Sequence, residues 1–373
     1  MDPNVIKLAM GAGGPTGPEP KLYVWGKNNY GQLGLNDRTS RSTPTQVGSL
    51  KNWEKAFNSR NASFSIKTDA SLWAWGENNV GGLGLGDTTS RSSPVQVGSG
   101  TNWLSISNSE GQFALAIKTD NTLWAVGNNS FYGGGGQLGL GDTTARSTFT
   151  QVGSLSNWAT VSSGYRATLA VKTDGTIWSW GYGYAGQLGL GNATNYSSPK
   201  QIGSLTNWSK VSLGQRHTLS IKTDGTLWAW GTNTNGQLGN GNTSRFRSPI
   251  QIGSGTNWSK VSANNTSSLA IKTDGTIWAW GRNNYGQLGL GDTTDRSSPV
   301  QIGTATNWSD VSGGDASTIA LKTDGTIWSW GRNLNGQLGL GNTTDRSSPV
   351  QIGTATNWAT IASGAYHVVA TTI

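Results

Sequence analysis

Short stretches of alternating apolar and polar residues recur along the chain, and each stretch ends at glycine or at a polar turn. Residues 219–230 show the pattern, because two alternating runs flank Asp224-Gly225. Alternation places successive side chains on opposite faces of a strand, so these residues predict a β-hairpin whose Asp-Gly pair forms a type I′ turn. Trp228 and Trp230 lie two residues apart, and we expect both to pack on one face.

A glycine-rich stretch follows each hairpin, as at residues 286–291, Gly-Gln-Leu-Gly-Leu-Gly. So many glycines disfavour a helix and predict a tight loop. A polar turn ending in Ser-Ser-Pro comes next, and a short apolar strand such as residues 300–302 completes the unit. The pattern predicts four short strands in about 50 residues and an all-β fold.

The unit occurs seven times, which the tryptophans make visible. An Asn-Trp pair recurs at Trp53, Trp103, Trp158, Trp208, Trp258, Trp308 and Trp358. A Trp-Gly pair recurs at Trp25, Trp75, Trp180, Trp230, Trp280 and Trp330, with Val126-Gly127 in the seventh place. The period is 50 residues, with one extra residue after Trp103 and four more around residues 131–136.

The two ends of the chain combine to make one unit. The last unit stops at Ile373, and Glu19 continues its register, because residues 19–25 match residues 324–330. Strands from both termini would then share one blade, which closes a ring and removes its exposed edges. The sequence therefore predicts a seven-bladed β-propeller over residues 19–373, preceded by a Gly/Pro-rich tail of 18 residues.

Composition excludes several classes of function. The chain of 373 residues has no cysteine, so disulfide scaffolds, Cys-ligated zinc and thiol catalysis are excluded. No run of about 20 apolar residues is present, so we expect no membrane span. The net charge of +8 suits an anionic partner, but the basic residues are scattered, and we do not expect nucleic-acid binding.

The repeats resemble those of the regulator-of-chromosome-condensation family. Residues 214–221 (Gly-Gln-Arg-His-Thr-Leu-Ser-Ile), followed by Trp228-Ala-Trp-Gly and Gly236-Gln-Leu-Gly, carry the resemblance, and it extends over residues 19–373. It implies a seven-bladed propeller closed by both termini. The founding member is a nucleotide-exchange factor for a nuclear GTPase that also docks on chromatin, while other members are varied binding platforms, so the fold alone does not imply that activity.

Catalytic and metal-binding groups are sparse. His217 and His367 occupy the same position in units three blades apart, where the family often has histidine, and we expect a structural role for both. Asp37, Asp87, Asp142 and Asp292 occupy one position in four units, and asparagine occupies it in the other three. This alternation suits Asx turns better than a calcium site with several carboxylates. We expect a non-enzyme without cofactor or metal.

Two sets of residues are candidates for binding. One is a possible anion-binding ring of arginines, which can equally pack and bind carbonyl groups: Arg41, Arg91, Arg146, Arg296 and Arg346. The other is a polar segment that differs from unit to unit between the first and second strands, and neutral drift explains it as well as recognition does. Its candidate residues are Arg60, Glu110, Tyr165, Arg166, Gln215, Arg216, Asn265, Asp315 and Tyr366, with Phe131 and Tyr132 from the insertion.

These features predict a structural or recognition propeller that mediates protein–protein contacts. Abundant Gly, Ser, Thr and Asn favour a virion protein (tail, fibre or capsid decoration) or a bacterial surface protein that attaches to a host receptor. The virion or cell surface is then the expected location, with the cytoplasm as the alternative. Residues 1–18 are a flexible leader or a tail that docks on a larger assembly. The alternative function is regulation of a small GTPase as a guanine-nucleotide exchange factor.

Overall fold

A computed structural model describes residues 19–108, 112–130 and 135–373, which contain 28 β-strands and, within those ranges, no helix. The first strands are β1 (Leu22–Gly26), β2 (Arg41–Gln46), β3 (Trp53–Asn58), β4 (Ala62–Lys67), β5 (Leu72–Gly76), β6 (Arg91–Gln96), β7 (Trp103–Asn108), β8 (Phe113–Lys118), β9 (Leu123–Gly127), β10 (Arg146–Gln151), β11 (Trp158–Ser163), β12 (Ala167–Lys172), β13 (Ile177–Gly181) and β14 (Tyr196–Gln201). The remaining strands are β15 (Trp208–Leu213), β16 (His217–Lys222), β17 (Leu227–Gly231), β18 (Phe246–Gln251), β19 (Trp258–Ala263), β20 (Ser267–Lys272), β21 (Ile277–Gly281), β22 (Arg296–Gln301), β23 (Trp308–Gly313), β24 (Ser317–Lys322), β25 (Ile327–Gly331), β26 (Arg346–Gln351), β27 (Trp358–Ser363) and β28 (His367–Thr372).

The strands form seven four-stranded antiparallel sheets. Blades 1 to 6 take consecutive strands, from β3–β6 to β23–β26, and blade 7 has the order β27-β28-β1-β2. The first strands of neighbouring blades contact one another around the ring, β27 and β3 included, so they surround the central channel. The predicted seven-bladed propeller and its closure by both termini are confirmed. No described helix has the length and apolar character needed to cross a membrane.

The antiparallel order gives the ring two different faces. One face, which we call the loop face, holds the connections from first to second strand and the long glycine-rich connections from third to fourth strand. The other, the turn face, holds the hairpin turns between second and third strands and the connections between blades. Residues that precede the second strand and residues that follow the third therefore lie close together on the loop face.

Two local predictions were wrong. The hairpin around Asp174-Gly175 has three loop residues: the Gly175 amide donates to the Lys172 carbonyl (2.9 Å), and Gly175 alone has a positive φ, of 78°. This is a type I turn followed by a left-handed residue, and not the predicted type I′ turn. The Asp174 carboxylate accepts a hydrogen bond from the Thr176 amide, which favours this longer loop. The second wrong prediction concerns the outermost strand, which was expected after the Ser-Ser-Pro turn, at residues 300–302. It begins earlier, at Arg296 in β22, and includes Pro299, which an edge strand tolerates.

Tryptophan and glycine fit together between blades. Trp228 and Trp230 both pack edge-on against Trp208, with ring centroids 5.7 and 6.0 Å away, so their shared face is confirmed. The Trp230 indole also donates to the carbonyl of Gln187 in the preceding blade (2.9 Å). A Cβ on Gly189 would lie 2.7 Å from Trp230 Nε1, so the repeated glycine is required by the close approach of the indole.

Serine hydroxyls join the inner strands around the channel. The amides of Leu213 and Ala263 donate to Ser162 and Ser212 Oγ of the preceding blade, at 2.9 and 2.8 Å. Equivalent bonds join blades 2 and 3, 5 and 6, and 6 and 7. The donor amide is that of the last residue of each first strand, so these bonds fix the base of the variable loops.

Candidate functional site

The variable segments meet at the mouth of the central channel. The mouth is lined by all seven blades, including Tyr165, Gln215 and Asn265, around a cavity of about 130 Å³. That volume equals about four water molecules and is below the roughly 300 Å³ of small-molecule sites. The geometry therefore suits contact with a macromolecular surface better than enclosure of a small ligand.

Glycine and small polar residues bring neighbouring loops into contact at this mouth. A Cβ on Gly314 would lie 2.9 Å from Ser317 Oγ and 3.0 Å from Ser363 Oγ, and glycines also occur at positions 164, 214 and 364. Asn265 Nδ2 donates to the carboxylate of Asp315 in the next blade. The next residues along each loop, including the exposed Arg60 and Arg216, surround this narrow centre.

Tyrosines and cations stack on each other at two places on the loop face. Near blade 7, Lys27 Nζ lies 5.1 Å and Arg60 Cζ 5.9 Å from the Tyr366 ring centroid. On blade 3, Arg166 Cζ lies 4.8 Å from the Tyr165 ring and 5.8 Å from the Tyr182 ring. Such contacts hold long cationic side chains in defined positions while leaving charge accessible.

The residues that follow the third strand also lie on the loop face, although the sequence pattern did not predict them as site residues. Arg332 of blade 6 stacks 4.8 Å from the Tyr285 ring of blade 5, and Tyr184, 63% exposed, packs near Tyr182. The residue after the Trp-Gly pair differs from unit to unit, as in Lys27, Glu77 and Arg332, and this variation was the available signal. The topology would have placed these residues beside the variable segments.

Around the channel mouth, the loop face has an excess of positive charge. In the described part of the chain, the variable segments and the residues after the third strands contribute two carboxylates, Glu77 and Asp315. The cations from the same positions are Lys27, Arg60, Arg166, Arg216, Arg282 and Arg332. This inner part of the loop face is therefore complementary to an acidic surface.

The candidate arginine ring lies at the outer rim of the loop face. Arg91 Nη2 lies 2.5 Å from Asp87 Oδ2, and Arg41, Arg146 and Arg296 bind Asp37, Asp142 and Asp292 in the same way. The Thr89 amide, together with Arg91, holds the pKa of Asp87 below its ordinary value. This pairing supports the structural alternative for these arginines, and anion binding by the ring stays a prediction.

Arg346 differs because Asn342 replaces the aspartate. Its guanidinium donates to the carbonyls of Asp345 (3.1 Å) and Thr344 (3.4 Å). In the described part of the chain, no three His, Asp or Glu side chains are placed to hold a metal ion. Glu110, Phe131, Tyr132 and the tail of residues 1–18 lie outside the described residues.

Comparisons with known proteins agree with this architecture. The model of the regulator of chromosome condensation (RCC1) repeat matches residues 21–64, 69–110, 174–221, 224–271, 274–321 and 324–371. A second model with the same description matches within blades 3 to 6. No curated protein matches the sequence.

Solved structures with the same fold include two close in shape. Prp20p from Saccharomyces cerevisiae, whose structure was described with its binding to Gsp1p and histones, superposes with a TM-score of 0.86 at 19% identity, over 95% of this chain and 92% of that one. Human WBSCR16 superposes with a TM-score of 0.82 at 20% identity, over 95% of this chain and 98% of that one. Identities this low indicate the fold alone, whereas the repeat model matches well over half of the chain. The protein is therefore a member of the RCC1 repeat family.

Proposed function

We propose that this chain is a non-enzymatic propeller that binds an acidic protein surface through its loop face. The observation that supports this proposal is the excess of cations there, several of them stacked on tyrosines of variable loops. Aromatic and arginine side chains are enriched at protein interfaces, and positive charge accelerates association with an acidic partner. Yeast Prp20, a structural neighbour, has been crystallised bound to Kap60, so this fold accommodates protein partners.

Charge reversal on the loop face tests the proposal. We expect Arg60→Glu/Arg166→Glu/Arg216→Glu to reduce capture of the partner from source-cell extract by at least about tenfold, because each reversal replaces attraction by repulsion. Quantitative mass spectrometry of the captured proteins measures this change. Added salt should weaken capture by the wild type and should not rescue the variant.

The control reverses two charges on the outer strands. Lys200→Glu/Arg247→Glu changes two exposed cations of the outermost strands β14 and β18, away from the channel mouth. An acidic protein captured by the wild type and by this control, but lost from the loop-face variant, identifies the partner. Equal capture by all three proteins contradicts the proposal.

A small GTPase is the partner class that the comparisons favour. Prp20p binds Gsp1p, and its fold covers nearly all of this chain. If this chain regulates such a protein, it will accelerate release of labelled GDP from at least one member of a panel of small GTPases. No acceleration across the panel would leave the propeller as a binding platform without exchange activity.

The virion or bacterial-surface role receives no support from the matched family or from these solved structures. It therefore stays a prediction, together with the attachment to a host receptor and the docking of residues 1–18. Mass spectrometry of purified particles and cell fractions from the source measures the location directly.

A further inference from the structure

Six blades hold a lysine ammonium between two tryptophan rings near the turn face. In blade 3, Lys172 Nζ lies 4.9 Å from the centroid of Trp158 and 3.9 Å from that of Trp178. The other five are Lys67, Lys118, Lys222, Lys272 and Lys322, at 3.7 to 4.2 Å from the third-strand tryptophan and 4.6 to 4.8 Å from the first-strand tryptophan. The negative face of an aromatic ring attracts a cation, so each of these six blades contains a cation site filled by its own lysine.

Blade 7 keeps the aromatic pair and lacks the lysine. Thr372 pairs with Trp358 in the ladder, at the position where Lys172 pairs with Trp158. Tyr23 replaces the third-strand tryptophan, and its ring centroid lies 5.2 Å from that of Trp358 at 70°, close to the edge-on arrangement of the other blades. Among the described residues, no lysine or arginine lies over either ring.

A cavity of about 330 Å³ opens beside this pair. It is lined by Tyr23, Trp358 and Thr372, with Glu19, Lys21 and Asn357 among its other walls. The volume is about ten times that of a water molecule, enough for an alkylammonium side chain. Thr372 ends at Cγ2, whereas the lysine of the other blades continues through Cδ and Cε to the ammonium, so the side chain at this ladder position does not reach the space over the rings.

The charged groups around the cavity include the carboxylate of Glu19, at a position where other blades also have a carboxylate. Glu19 continues the register at the position of Asp324. In the blades of Lys67 and Lys172, burial lowers the pKa of the lysine, and the aspartate at this position opposes part of that shift. Lys51 is ion-paired with Glu19 at 3.6 Å, and Lys21 also lines the cavity. These two cations weaken the attraction for a further cation, so the aromatic faces must provide most of the affinity.

We propose that the Tyr23–Trp358 cavity of blade 7 binds an alkylammonium group: the side chain of a lysine or of a methylated lysine. The six filled sites of the same molecule indicate this chemistry. The lysine comes from another molecule or from residues 1–18, which include Lys7.

The probe is N-acetyl-trimethyllysine amide, observed by saturation-transfer NMR and isothermal titration with the full chain. We expect millimolar binding to one site, since two aromatic faces and one shared carboxylate make a weak site. The neutral tert-butyl isostere should bind at least about tenfold more weakly. Equal binding of the two ligands would overturn the proposal, because an apolar cavity would then explain it.

Thr372→Lys places a lysine of the chain itself in the blade 7 site, as in the other six blades. This variant should raise the thermal midpoint and lower the affinity for the probe at least tenfold, and the midpoint shows that it folds. Lys172→Thr is the reverse control: it empties the blade 3 site and should raise the stoichiometry from one to two. Unchanged affinity in Thr372→Lys would exclude the blade 7 cavity as the site.

Deletion of residues 1–18 separates the two sources of the lysine. A lysine of the tail that occupies the cavity competes with the probe, so its removal would raise the apparent affinity. Unchanged affinity would assign the site to a lysine or methylated lysine of another molecule. Absence of probe binding to both the full chain and the truncated chain would overturn the proposal.

Discussion

At the scale of single residues, the two histidines are hydrogen-bonding groups between blades. His217 and His367 are fully buried, and their Nε2 atoms lie 2.9 Å from Ser268 Oγ and 2.8 Å from Ser63 Oγ of the following blades. Burial lowers the pKa of each to about 3. Both are therefore neutral at neutral pH and join blades 4 and 5 and blades 7 and 1, which agrees with the expected structural role.

This burial predicts an acid-sensitive free energy of unfolding. Between the unfolded pKa of 6.5 and the folded value of about 3, the unfolded chain binds more protons, so stability present above pH 6.5 is lost as pH falls. Each histidine should contribute a loss of about 2 to 3 kcal/mol between pH 6.5 and 4.5. Urea unfolding at pH 7.5, 6.0 and 4.5 measures the loss.

Replacement of the histidines measures their contribution to the pH dependence of the unfolding free energy. His217→Gln/His367→Gln should lower stability at pH 7.5, where the neutral histidines fit their sites, and its dependence on pH between 6.5 and 4.5 should be much weaker than that of the wild type. The aspartates with lowered pKa values add little to the loss at pH 4.5, because an unfolded aspartate, with a pKa of 3.8, is still mostly ionised there. The same pH dependence in wild type and variant would contradict neutral, buried histidines.

At the scale of strands, blade 2 repacks its interface with blade 1. Val126 replaces the inter-blade tryptophan of β9, and Phe149 replaces the proline of the outer strand β10. Phe149 fills the space over Gly84, where an added Cβ would lie 2.7 Å from its ring, and its centroid lies 4.9 Å from that of Trp103. In the other blades the indole fills this space, so Val126 and Phe149 compensate for each other.

We predict strong coupling between these two positions. Val126→Trp alone would overfill the interface and lower the free energy of unfolding by about 1–3 kcal/mol. Phe149→Pro alone would leave a cavity and cost a similar amount or more. The double variant restores the pair of the other six blades, so its unfolding free energy by denaturant titration should lie within about 1 kcal/mol of wild type. Additive losses would contradict this packing.

The strands and their closure were predictable because each of the seven units repeats the same alternation and the Asn-Trp pair, and most units repeat the other two tryptophans. The Val126–Phe149 exchange was not, since the two positions lie 23 apart in the chain and their contact depends on the adjacent β9 and β10. The turn at Asp174 was mispredicted because its side chain binds the Thr176 amide, which favours a longer loop. The variable ring at the channel mouth followed from sequence differences, whereas the tyrosine–cation stacking depends on two loops that only the topology places together.

At the scale of the whole molecule, one strand closes the ring and also joins two blades. β1 pairs with β28 over five residues, from Leu22 opposite Thr371 to Gly26 opposite His367. Leu22, Val24 and Trp25 are completely buried, and the Trp25 indole donates to the Gln337 carbonyl of blade 6 at 3.0 Å. Loss of this strand would therefore expose edges of β28 and β2 and open the contact with blade 6.

Two truncations separate the closing strand from the tail. Removal of residues 1–18 should leave the thermal midpoint within a few degrees of wild type, because the repeat register begins at Glu19. Removal of residues 1–25 deletes Leu22, Val24 and Trp25, and truncating a buried leucine or tryptophan costs about 2–5 kcal/mol each. That loss is comparable with the roughly 5–15 kcal/mol stability of a whole protein, so the shorter chain should unfold at a much lower temperature or associate through its exposed strand edges. Differential scanning calorimetry and light scattering measure both outcomes, and equal midpoints for the two truncations would refute closure by β1.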